Sequence, residues 1–151
     1  MSTRALIGKE NEDGTITAAW CWNDGKDIKK NLVKDFTKNE DLEFLLSLGE
    51  FSTIMTKAGM DDFIHFCENT LHCDLKDKEF INHNKSFVLK EKHHENKPKV
   101  YSDLDEASGQ DINVMYIMKN EQWLEYTTYP ASKETPKNLT EQQAKRKGRE
   151  K

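Results

Sequence analysis

The stretch Arg4-Ala-Leu-Ile-Gly-Lys-Glu-Asn-Glu-Asp-Gly-Thr-Ile-Thr-Ala-Ala-Trp-Cys-Trp-Asn-Asp-Gly25 decides the fold. Its first run, Ala5 to Ile7, is apolar, and the Asp13-Gly14 pair that follows supplies the positive φ angles of a tight hairpin turn. Beyond it Ile16, Ala18, Trp20 and Trp22 alternate with Thr17, Ala19 and Cys21, the period of a strand. That alternation predicts both tryptophans on the core face. Asn23-Asp24-Gly25 is a second turn signal, so the stretch reads as a β-hairpin feeding a helix.

Outward from the hairpin, Ile28, Leu32, Val33 and Phe36 form one stripe of a helix over 27–36. Asn39 has the character of an N-cap, Leu42, Leu45 and Leu46 make a second stripe, and Gly49 ends that helix. A third helix is predicted over 61–71, with Phe63, Ile64, Cys67 and Leu71 inward and His65, Glu68, Asn69 and His72 opposite. The later chain is extended. Phe87-Val88-Leu89 and Val100-Tyr101 read as a hairpin, Ile112 to Met118 is apolar on both faces and so an interior strand, and Trp123 to Thr127 is its hairpin partner. Together these predict an α+β domain over 1–130, an antiparallel sheet of four to six strands with two or three helices on one face.

Composition bounds the function. A chain of 151 residues buries about 70% of its unfolded surface without disulfides or metal. The 35% apolar and 33% charged mixture, with no apolar run near the length of a membrane span, excludes an integral membrane protein of the helical kind. Three cysteines without framework spacing agree with a reducing cytoplasm. Residues 133–151 hold seven Lys or Arg and three Glu, a charge of +4, which leaves −8 on 1–132. The acidic body argues against a nucleic-acid surface there, while the basic tail over 131–151, expected to be disordered or marginally helical, offers a weak, salt-sensitive contact through Lys145, Arg146, Lys147 and Arg149.

At Met1-Ser-Thr-Arg-Ala-Leu-Ile-Gly8, Glu10-Asn11, Asp13-Gly14-Thr15 and Trp22-Asn23-Asp24-Gly25, the chain resembles a family of small proteins encoded by bacteriophages and prophages. The likeness continues through the helix pair, Leu48-Gly49-Glu50-Phe51-Ser52, and the late hairpin of Met115-Tyr116-Ile117 and Gln122-Trp123-Leu124. It implies an accessory phage product of the bacterial cytoplasm that binds a host component, a defence or regulatory protein, and inhibits or modulates it without catalysis or cofactor. The family's His-Trp-Asp-Gly-Tyr pattern is replaced here by Cys21-Trp22-Asn23-Asp24-Gly25-Lys26, so Trp22, Asn23, Asp24, Gly25 and Lys26 are the first residues to inspect for binding, including binding of a small molecule or nucleotide.

Other candidates are weighed against plainer readings. Ser2, exposed by removal of Met1, has the position of an amino-terminal nucleophile, but such hydrolases need more chain than this. A metal site could draw on His65, Cys67, His72 and Cys73, with His93 and His94 near in sequence, but His65 and Cys67 point apart on the helix, which leaves His65, His72 and Cys73, and there is no Cys-x-x-Cys pair. Asp103, Asp105, Glu106 and Asp111 form the one acidic segment dense enough to mimic nucleic acid, and a solvated face is its default reading.

Overall fold

A computed structural model describes residues 3–71, 75–92 and 96–149. The class is α+β, with nine strands and five helices among the described residues. β1 (Ala5–Glu10) and β2 (Ile16–Cys21) pair antiparallel in the expected hairpin. Its connection closes with Asn11 N–H on the Thr15 carbonyl at 2.7 Å and with Gly14 at φ +87°. β6 (Lys99–Tyr101), β7 (Val114–Lys119), β8 (Gln122–Tyr126) and β9 (Lys137–Asn138) complete a six-stranded sheet in the order β6-β2-β1-β7-β8-β9.

That sheet is mixed, not antiparallel throughout: β1 and β7 run parallel, Ala5 opposite Val114 and Ile7 opposite Tyr116. Ala5, Leu6, Ile7 and Gly8 are all buried, as are the first five residues of β7. Strands buried on both faces belong in the middle of a sheet, and more than a hundred residues of crossover allow the chain to return in the same direction. Where β2 passes β1, a Cβ on Gly8 would sit 2.1 Å from the Thr17 carbonyl oxygen, so the close approach requires glycine.

The crossover contains α1 (Lys29–Asp35), α2 (Asn39–Ser47), β3 (Thr53–Thr56), α3 (Lys57–Phe66), β4 (Lys78–His83) and β5 (Ser86–Glu91). β3, β5 and β4 form a second, three-stranded antiparallel sheet. The expected hairpin between 87–89 and 100–101 is therefore corrected. β5 turns back on β4 through Asn84 at φ +57°, a far shorter closure, and Val100 and Tyr101 pair with Thr17 and Ile16 of β2 instead. The third helix starts four residues earlier than expected, capped by Thr56 Oγ1, which accepts from Gly59 N–H at 3.0 Å.

Two cores lie on the two faces of the large sheet. Ile7, Ala19, Cys21 and Tyr116 pack with Leu32, Phe36 and Leu45 of the helix layer, while Leu6, Ile16, Ala18 and Met115 pack with Tyr101 and Ala107 on the other side. The helices are thus not confined to one face, since α4 (Leu104–Ser108) contributes Ala107 to the second core.

The chain beyond Pro130 is part of the fold. β9 pairs with β8, Leu139 is 6% exposed within the main core, and Thr140 Oγ1 accepts from Trp123 N–H at 3.0 Å. α5 (Leu139–Arg149) then runs beside α1 and β8. A helix this polar docks because Leu139 anchors its first turn and because the outer edge of β8 presents backbone groups that need partners. Asn138 Oδ1 accepts the helix-start N–H, from Glu141 at 2.9 Å.

Candidate functional site

The main concavity with mixed aromatic and charged walls lies beside the second half of β2. Its cause is Pro98. Lys99 pairs with Ala18, but proline has no N–H with which to continue the ladder, so the strap Asn96–Pro98 swings away from β2. The strap lands on the turn after α2, where Glu50 N–H donates to the Asn96 carbonyl at 3.1 Å. Gly49 makes that landing possible: it sits at φ +75°, and a Cβ there would lie 2.3 Å from the Asn96 oxygen. Phe51 takes over beside the end of β2, donating to the Trp20 carbonyl and accepting from Trp22 N–H, both at 3.0 Å. Between the strap and the second half of β2 a groove of about 250 Å³ remains open.

Trp20 and Trp22 stack on each other at the groove wall, with ring centroids 5.1 Å apart and planes inclined by 24°. Both are half-buried. This corrects the expected core face of β2: Ala19 and Cys21 turn to the main core, Ile16, Ala18 and Trp20 turn to the smaller one, and Trp20 reaches its rim. The tryptophan of the main core is Trp123, fully buried, with its indole N–H on the Phe36 carbonyl at 2.8 Å. Lys97 from the strap, Lys99 from the start of β6, Gln110 from the link between α4 and β7, and Glu50 complete the groove. Glu50 is 7% exposed and held by Asn96 Nδ2 at 3.0 Å. Indole faces accept planar groups and cations by stacking, and the two ammonium groups complement an anion.

Of the residues singled out in the sequence, Trp22 belongs to this groove, and the turn after it does not. Asn23 N–H donates to the Ser52 carbonyl at 2.8 Å and Gly25 N–H to Thr3 at 2.9 Å, while Asp24 takes φ +58°. The Tyr116 hydroxyl donates to the Gly25 carbonyl at 2.7 Å from the centre of the sheet. Burial, reinforced by the nearby Glu125 carboxylate, pushes that hydroxyl's pKa upward, so it stays a donor. The turn is a buttressed corner between β2 and α1, and within Asn23–Lys26 only Asp24 and Lys26 are exposed. Beside it the buried Cys21 thiol has its pKa raised by burial and is inert as a nucleophile.

The acidic segment is also occupied structurally. Asp103 caps α4 by accepting from Glu106 N–H at 2.8 Å, Glu106 accepts from Ser102, Asp105 accepts from both the N–H and the hydroxyl of Ser132 at 2.8 Å, and Asp111 pairs with Arg4 at 3.0 Å. Its carboxylates are spent on caps and loop bridges, which does not make the bare anionic face that mimicry needs. His65 is exposed on α3 beside Asn69, while Ser2, His72, Cys73, His93 and His94 lie outside the described residues.

A polar seam that the sequence did not flag joins the small sheet to the helices. Ser86 Oγ donates to Asp35 Oδ2 at 2.5 Å and accepts from Asn31 Nδ2 at 3.0 Å, and His83 Nε2 lies 2.7 Å from Asp41 Oδ1. His83 is sandwiched between Phe36 and Phe44, at centroid distances of 4.9 and 4.4 Å. Serine and histidine here each bond to a different aspartate, so the seam pins the β4-β5 hairpin and is not wired as a nucleophile and base. Burial raises the Asp41 carboxyl, but the Lys38 backbone N–H and His83 outweigh it and hold the pKa below the usual carboxylate range.

No protein-family model, curated protein or solved structure matches the chain. Glu50, Lys97, Lys99 and Gln110 had no signal in the sequence apart from Pro98 between two lysines, because they converge from three distant segments.

Proposed function

We propose that the protein is a binding protein without catalytic activity of its own, a phage accessory product that engages a host protein in the bacterial cytoplasm through the tryptophan groove. The observation that carries this reading is the stacked Trp20–Trp22 pair, kept half-buried beside a groove with Lys97 and Lys99 on its rim. Aromatic anchors in a concave site flanked by charge are the residues that dominate protein recognition. The phage context comes from the resemblance of the amino-terminal hairpin. The ligand this groove suits is an exposed segment of the partner with a planar side chain next to a carboxylate.

Capture from host lysate, performed side by side with the wild-type protein and with Lys97→Glu/Lys99→Glu, tests it. The expected result is a host protein enriched by the wild type and lost from the variant. Equal recovery by both, or no enrichment by either, overturns the reading.

A further inference from the structure

The basic tail that the sequence leaves without a place is laid by the fold along a second basic element. α5 packs against α1, and between them lies a cleft of about 140 Å³ lined by Lys29, Lys30, Val33, Gln142, Gln143 and Arg146. Leu139 and Val33 supply its apolar floor. Lys29 is committed at 3.3 Å to Glu125, itself only 4% exposed. Lys30, Lys34 and Arg146 have no carboxylate within ion-pair distance among the described residues. Lys30 and Lys34 are moreover an i,i+4 pair of like charge on one helix.

The charge distribution is lopsided. Residues 26–34 carry four Lys and one Asp, and residues 139–149 carry four Lys or Arg and one Glu, so each segment has a charge of +3. Against a total of −4, the rest of the chain then carries −10. Packing two like-charged helices side by side in an acidic protein is unfavourable in isolation, and an anion in the cleft relieves it. The wall chemistry narrows the anion. There is no aromatic ring in the cleft to stack a base, and two glutamine amides accompany the cations, a set suited to phosphate and sugar oxygens instead of base edges.

We infer that the α1–α5 cleft is a nucleic-acid backbone site, taking phosphodiester groups without sequence readout. The site is separate from the tryptophan groove, shares none of its residues, and stands whether or not the groove binds a protein.

Fluorescence anisotropy with the full chain tests it, using a labelled single-stranded oligonucleotide, the matching duplex, and labelled poly-glutamate. At low salt the oligonucleotide or its duplex is expected to bind, with a log–log salt slope of about −3 for three to four phosphate contacts. Lys30→Glu/Arg146→Glu should lose at least about tenfold in affinity and flatten the slope to about −1. Lys57→Glu/Lys92→Glu makes the same change in net charge at two positions that do not line the cleft, and should keep most of the binding. Loss of binding equal in the two variants, no binding of any oligonucleotide at about 50 mM salt, or poly-glutamate binding as tightly as nucleic acid, each overturns the inference. Unchanged near-ultraviolet dichroism from the buried Trp123 shows that the variants are folded.

Discussion

Single side chains set the sharpest constraints. At Gly8 even one methyl group meets the carbonyl of Thr17, so Gly8→Ala should lower unfolding free energy by about 3 kcal/mol in chemical denaturation, because backbone, not a flexible side chain, is in the way. Asp41 supplies a pH signature. Its folded pKa is depressed, so its contribution is complete above the unfolded value near 3.8 and is lost as pH falls through the lower folded value. Thermal melts should therefore show the wild type losing stability below about pH 4 relative to Asp41→Asn, which lacks the titration. Parallel curves for the two proteins would remove Asp41 from the acid limb. At Trp20 and Trp22, iodide should quench a large part of the total emission and leave the Trp123 component, since Trp123 is fully buried and the other two are half-exposed. Emission quenched by none, or emptied entirely, contradicts that division.

At the scale of elements, the docking of α5 is the largest departure from the sequence reading. Leu139→Ala should cost about 2–3 kcal/mol, the range for removing a buried leucine, whereas a free tail would leave stability unchanged. The elements that were legible are those with strong local pattern. β1, β2, β7 and β8 show alternation or two-faced apolar runs, and α1 and α2 show stripes followed by Gly49. What was not legible depends on contacts between segments far apart. The parallel pairing of β1 with β7 is fixed by which strands need burial on both faces, not by anything within either strand. β4 has no strong local pattern because Phe80-Ile81 is a two-residue apolar run between Lys78-Glu79 and Asn82-His83, and its tight turn at Asn84 competes with the longer polar loop downstream. The face of β2 was misassigned because alternation gives two faces without saying which one meets the larger core; small Ala19 and Cys21 face the helices, and the tryptophans project elsewhere. Helix α5 was misplaced because its own residues hold one apolar anchor, and the partner it needs, the edge of β8, is supplied by the sheet.

For the whole molecule, the candidate site was legible in part. Trp22 stands out in the sequence beside the Asn23-Asp24-Gly25 turn, yet the turn itself proves to be a corner held by Tyr116, and Trp22 lines the groove beside it. Glu50, Lys97 and Gln110 join Trp22 only because Pro98 ends the β2–β6 pairing at Lys99 and Gly49 lets the strap close, on segments that no local pattern links. The same assembly gives the molecule two faces of different chemistry: a groove with stacked tryptophans on the β2 side, and a basic cleft where α5 meets α1. No helix among the described residues is long and apolar enough to cross a membrane. Hydrogen–deuterium exchange of the protein alone and bound to its captured host partner tests the groove most directly. Slowed exchange on binding is expected in 18–22 and 96–101, with the hydrogen-bonded amides of Asn23 and Gly25 already slow in both states; protection confined to other segments, with the groove amides unchanged, would contradict the groove as the binding site.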